Sequence, residues 1–170
     1  EGFWCVDPID GTSNFVNGLP FFAISVALIR GRRSVLGVVY DPSANEAFYA
    51  VEGLGAFMNG ERLPLKTPPT ELRRCMAGIE LKRIDRNLAG RLAFEHPFSS
   101  QRNLGASTLD WCYVAAGRMH IYLHGGQKLW DYAAGCLILK EAGGAACSLE
   151  GGDFRAGDPW NRSVLAALPP

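Results

Sequence analysis

The 170-residue chain is predicted to adopt a mixed α/β layered fold, on three observations. Strand-like segments follow one another early in the chain, separated by turn residues. A proline-bearing linker comes next, and beyond it strand-like and helix-like segments alternate. A run of strands followed by alternation calls for sheets and helices stacked in layers around shared cores. The length allows a substantial core, and an apolar fraction of 48% with 20% charged residues excludes a disordered chain.

The chain opens inside an apolar run, Phe3 to Val6, read as a buried strand. Segments 21–29, 34–40 and 46–51 are expected to form an antiparallel meander. Arg30-Gly31-Arg32-Arg33 and Asp41-Pro42-Ser43-Ala44-Asn45 supply its turns. Gly53-Leu54-Gly55 and Asn59-Gly60 mark further turns. Lys66-Thr67-Pro68-Pro69-Thr70 separates an N-terminal sheet region, 1–66, from a C-terminal α/β region, 67–170, within one compact unit. In the second region a strand is expected over 75–80 and a helix over 86–94. A helix over 107–116 should stop at Gly117, with a strand over 119–123 after it. A helix over 130–142 should close on Gly143-Gly144, with short strands over 145–149 and 163–168.

Seventeen basic residues balance seventeen acidic ones, which argues against nucleic-acid binding through bulk charge. No apolar run approaches the ~18 residues that span a bilayer, and the first residues lack a signal-peptide core. Five scattered cysteines with no C-x-x-C pair fit reduced, packed thiols and a cytoplasmic protein. His120 and His124 have metal-ligand spacing for a helix, but their surroundings favour a strand.

Two clusters carry chemistry. In Asp7-Pro8-Ile9-Asp10-Gly11-Thr12-Ser13-Asn14 two carboxylates stand three apart around a proline, a stiff turn able to aim both at one point. Carboxylates with a backbone carbonyl are the oxygen donors that Mg²⁺ takes. Gly11 lets the backbone approach a ligand, amides after it can face phosphate oxygens, and Thr12 offers a hydroxyl. The simpler alternative is an Asx turn with a helix cap. In Trp130-Asp131-Tyr132-Ala133-Ala134-Gly135, Asp131 stands at a helix start, where a carboxylate also serves as an N-cap. Ala134, Leu137, Ile138 and Ala142 recur at helical spacing, so this helix should pack in the core. Its small residues should admit a close neighbour.

The two clusters resemble the paired signatures of the inositol monophosphatase family. The resemblance extends through Gly37-Val38-Val39-Tyr40, Gly55-Ala56-Phe57-Met58-Asn59-Gly60, Gly105-Ala106-Ser107 and Glu141-Ala142-Gly143-Gly144. It implies an αβαβα sugar-phosphatase sandwich, here lacking its N-terminal helices. It also implies a lithium-sensitive phosphomonoesterase that uses two or more Mg²⁺ ions. On that footing Asp7 bridges two metals, the Ile9 carbonyl joins one, and Asp10 and Asp131 hold the other. Gly11 and Thr12 bind phosphate through backbone amides, Thr12 and Asp7 are the catalytic residues, and Thr12 helps orient the attacking water. Asp10, Gly105, Ala106, Ser107, His124 and Asp131 contact a polyol or sugar phosphomonoester. A homodimer is expected of the full-length protein.

Family members carry a Gly-Glu-Glu segment upstream of the first motif, and its glutamate binds metal. This chain begins after it, so one metal site is expected to be a carboxylate short. His124 stands where inositol-specific members have a glutamate, and it faces either a different sugar phosphate or solvent at a strand end. The alternative function is a catalytically incomplete relic or partner-binding module. An aspartyl-phosphate mechanism fails on spacing, since it needs acids two apart and Asp7 and Asp10 are three apart.

Overall fold

The computed structural model describes residues 1–152 and 161–169. Its first sheet holds six antiparallel strands in chain order: β1 (Gly2–Asp10), β2 (Ala23–Arg30), β3 (Arg33–Asp41), β4 (Glu46–Val51), β5 (Gly55–Met58) and β6 (Glu61–Arg62). A single short helix, α1 (Thr12–Val16), interrupts the meander. The expected turns close it. Arg32 takes a left-handed conformation between β2 and β3, and Asn45 does the same before β4.

Five more strands make the second sheet, in the order β10 (Ala145–Cys147), β11 (Asn161–Ala167), β9 (Ile121–Lys128), β7 (Met76–Glu80), β8 (Ser100–Arg102). Strand β9 runs parallel to β7 and antiparallel to β11. It starts later and runs further than the expected 119–123, through Gly125-Gly126-Gln127-Lys128 and directly into the following helix. The expected 163–168 strand begins two residues earlier, at Asn161.

Helices α3 (Ser107–Ala115) and α4 (Leu129–Glu141) lie between the sheets. Tyr132, Ala133, Ala134, Gly135, Leu137, Ile138 and Leu139 of α4 are all buried, as a helix enclosed on every side requires. Small residues let its neighbours come close. A Cβ on Gly37 would stand 2.9 Å from the Ala134 carbonyl oxygen, and one on Gly135 2.4 Å from Trp111 Cβ. Helix α2 (Arg86–Glu95) covers the far side of the second sheet, where Leu88, Ala89 and Leu92 meet Ala77, Ile79 and Leu123. The layers therefore run sheet, helices, sheet, helix, which is the αβαβα sandwich without its first helical layer.

Both central helices end on the glycines expected to stop them. After α3, Gly117 (φ 72°) donates to Val114 O and Arg118 donates to Tyr113 O. After α4, Gly143 (φ 88°) donates to Lys140 O and Gly144 donates to Leu139 O. This paired pattern satisfies the last carbonyls of each helix. Glu141 then accepts from the Gly53 and Gly55 amides at 2.9 Å each, tying the β4–β5 turn to the end of α4.

One expectation is corrected at the start of the chain. The run Phe3 to Val6 is a strand but is not buried: Phe3 is 51% exposed, Trp4 58% and Val6 49%. β1 is an edge strand, and its outward side carries no layer among the described residues. No described helix is long and apolar enough to cross a membrane.

Candidate metal and phosphate site

Asp7 and Asp10 reach the same side of the first sheet through an irregularity of β1. Asp7 is opposite Ser25 and Asp10 opposite Ala23, so three steps along β1 answer to two along β2. Residues three apart in a regular strand point to opposite faces. The additional residue of this β-bulge returns Asp10 to the inward face, which the buried Ser25 and Ala23 define. Pro8, with no N–H to give a ladder, lies inside the irregular stretch. The stiff turn expected here is thus a bulged strand end.

Asp131 comes from the opposite layer. It is the third residue of α4, not its N-cap, and its Oδ2 accepts the Lys128 amide at 2.8 Å. One oxygen from each of Asp7, Asp10 and Asp131 lies within 4.8 Å of the other two. Burial raises all three carboxyls, and like charge adds to the effect at Asp10 and Asp131, with Asp131 pushed up to about 6. Clustered carboxylates that burial and mutual repulsion push toward protonation are relieved by a cation. Their all-oxygen donor set suits a hard ion such as Mg²⁺.

The backbone between them is equally organised. The Ile9 amide donates to Asp7 Oδ1 at 3.1 Å, and the Thr12 hydroxyl donates to the Ile9 carbonyl at 2.9 Å. Gly11 has φ 80°, and a Cβ there would stand 2.7 Å from the Phe21 carbonyl oxygen, so glycine is required. Its amide is directed at the Asp10 carboxyl. Asn14 donates to the Phe21 and Leu104 carbonyls at 2.7 Å each, joining α1 to the loop that begins α3.

Beside the carboxylates opens a cavity of about 300 Å³. Asp10, Asp131, Gly105, Ala106, Ser107 and His124 line it, so it gathers the residues expected on the substrate side. His124 is not a solvent-facing strand end. It sits within β9, is 8% exposed, and burial lowers its pKa to about 4. Its Nδ1 accepts the Gly126 amide at 3.0 Å, which leaves the proton of the neutral ring on Nε2.

Several lining residues escaped the sequence reading. Glu80, Lys82, Arg83 and Asn103 reach the cavity from the second sheet and the turn after β7. Arg83 bears electrostatically on both His124 and Asp131. Its turn packs so tightly on β9 that a Cβ on Gly125 would overlap the Arg83 carbonyl oxygen, at 1.4 Å. Asp110 is buried in the cavity wall with no partner for Oδ1. Burial, with Asp10 and Glu80 nearby, holds its carboxyl well above the usual range. Thr108 donates to Asp10 Oδ2 through both its amide and its hydroxyl, at 2.7 Å each. The only local signal for these two is the Ser107-x-x-Asp110 spacing, which imitates a capping box. The N-cap is instead Ala106, with no side-chain cap.

The chain is similar in sequence and in overall fold to known proteins. Nus factor SuhB of Pasteurella multocida is 44% identical over 159 residues, covering 88% of this chain and 57% of that protein. Inositol-1-monophosphatase of Mesorhizobium japonicum is 40% identical over 154 residues, covering 88% and 58%. The chain therefore spans under three-fifths of the length of these two relatives. Among solved structures, inositol monophosphate-bound SaIMPase-II, from Staphylococcus aureus, superposes with a TM-score of 0.88 at 31% identity, covering 98% of this chain and 64% of that one. The profile of the inositol monophosphatase family matches residues 1–169, nearly the whole sequence and both carboxylate clusters. On layer order, sequence and overall superposition alike, the chain belongs to the inositol monophosphatase family.

Proposed function

We propose that the chain carries the active centre of a Mg²⁺-dependent phosphomonoesterase acting on a polyol or sugar phosphate of the inositol monophosphate class. The observation that carries this reading is the convergence of Asp7, Asp10 and Asp131 within 4.8 Å beside a polar cavity. The inositol monophosphate bound to the staphylococcal relative supports the substrate class.

In this reading Asp7, Asp10 and Asp131 hold Mg²⁺, with the Ile9 carbonyl as a further ligand. When bound, the metal supplies Lewis acidity, acidifying water and neutralising phosphoryl charge. The Thr12 hydroxyl donates its hydrogen bond to the Ile9 carbonyl, so the lone pairs of its oxygen are left to accept a hydrogen bond from water and orient it for attack. Gly11 supplies the left-handed turn that brings the start of α1 up to the phosphate, and the Thr12 amide faces an anionic oxygen. Gly105, Ala106 and Ser107 border the organic part of the substrate. His124 presents its Nε2–H to a substrate oxygen, a donor where a glutamate could only accept.

The test is phosphate release from inositol monophosphate and a panel of sugar phosphates, titrated with Mg²⁺ with and without Li⁺. Mg²⁺-dependent turnover that Li⁺ suppresses is expected, with a fall of about 10³-fold or more in Asp131→Asn. Turnover equal to that of Asp131→Asn at every Mg²⁺ concentration overturns the reading.

A further inference from the structure

We infer that Thr108 is a positioning residue that makes Asp10 a one-oxygen ligand and so biases the ion site toward Mg²⁺ over Ca²⁺. The inference rests on the proposed assignment of Asp10 to the metal. Thr108 is the second residue of α3, in its first turn, 98 residues along the chain from Asp10. It donates to Asp10 Oδ2 twice, through its amide at 2.7 Å and its hydroxyl at 2.7 Å, at a buried location. A carboxylate oxygen has about two lone-pair sites. Both on Oδ2 are therefore taken, and Asp10 has only Oδ1 to offer an ion. The Gly11 amide, which also bears on this carboxyl, further restricts its rotation.

The consequence follows from ion size. Ca²⁺ fills six to eight positions and readily takes both oxygens of one carboxylate, whereas Mg²⁺ demands a compact octahedron of single-oxygen ligands. A carboxylate clamped by one oxygen meets the second demand and resists the first. Removing the hydroxyl alone frees one lone pair on Oδ2 and lets the group swivel toward two-oxygen contact. The backbone donor remains, so α3 keeps its attachment to β1.

The experiment is calorimetric titration of the chain with Mg²⁺ alone and with Ca²⁺ alone, for the unsubstituted protein, Thr108→Val, Thr108→Ser and Asp10→Asn. Thr108→Val is expected to weaken Mg²⁺ binding about tenfold and to raise the Ca²⁺-to-Mg²⁺ affinity ratio about threefold or more. Thr108→Ser restores the hydroxyl and is expected to keep both affinities within about twofold. An unchanged ratio in Thr108→Val overturns the inference, as does an equal shift in Thr108→Val and Thr108→Ser, which would make packing the cause. Should Thr108→Val not fold, Thr108→Ala removes the hydroxyl without adding bulk and is read in the same way. The Asp10→Asn arm separates the two failures. Binding lost there with the Thr108→Val ratio unchanged sinks only the role of Thr108. Binding undiminished there sinks the assignment of Asp10 to the metal, and the inference with it.

Discussion

At the scale of single residues, the site holds negative charge at a cost that an ion would lift. Asp131 titrates at about 6 in the fold against an ordinary 3.8, burial being the main cause. A raised acid binds its proton more tightly in the folded state than in the unfolded one. Its destabilising effect is therefore present above about pH 6 and relieved as pH falls from 6 toward 3.8. Without divalent ions, Asp131→Asn should accordingly be more stable than the parent at pH 8, by about 1 kcal/mol once partial exposure is allowed for. The difference should shrink below pH 6, and urea unfolding at pH 8 and pH 5 checks it. His124 works in the opposite sense, since a base lowered to about 4 loses stability as pH falls from 6.5 to 4. Comparing the variant with its parent removes that contribution, because both retain the histidine.

At the scale of elements, the site depends on how closely α4 sits between its neighbours. Gly135 faces Trp111 of α3 and Gly37 of β3 faces Ala134, so both contacts are backbone-close. Gly135→Ala would place a methyl group 2.4 Å from Trp111 Cβ and must push the two central helices apart. Since α3 carries Thr108 and α4 carries Asp131, the substitution should lower stability by about 2–3 kcal/mol and weaken Mg²⁺ binding along with it. Denaturant midpoints and metal titration of this variant test both effects. A stability loss with unaltered metal binding would show that the carboxylates tolerate movement of the helices.

At the scale of the molecule, the two faces of the first sheet differ sharply. Inward, Ala23, Ala27, Ile29, Val39 and Phe48 join the central core. Outward, Trp4 lies opposite Leu28 and Val6 opposite Val26. Ile24 and Val51 on the same face are 42% and 39% exposed. An apolar face of this breadth favours association. The 170-residue chain is expected to bind a hydrophobic dye and to self-associate as concentration rises. Trp4→Lys combined with Val6→Thr should reduce both. Light scattering of that variant unchanged from the parent would show that another surface drives association.

Much of this was legible in the sequence. The Asp7–Asn14 run and Trp130–Gly135 contained the three carboxylates that the fold brings together, and Gly117 and Gly143-Gly144 marked the helix ends, because caps and turns are set by local backbone preference. The run Asp7-Pro8-Ile9-Asp10 named its two carboxylates but not their common face, which depends on one additional residue in the pairing of β1 with β2. Thr108 meets Asp10 across 98 residues of chain, and His124 is buried because its β9 side chain faces the cavity wall that α3 and α4 share with the sheet. The exposure of Phe3 to Val6 likewise depends on which strand ends the sheet. By itself the sequence determined the layered class, the helix stops and the identity of the acids, since these rest on neighbours along the chain. Only the tertiary structure decided which side chains face one another, because strand register and helix contact are set between residues far apart in sequence.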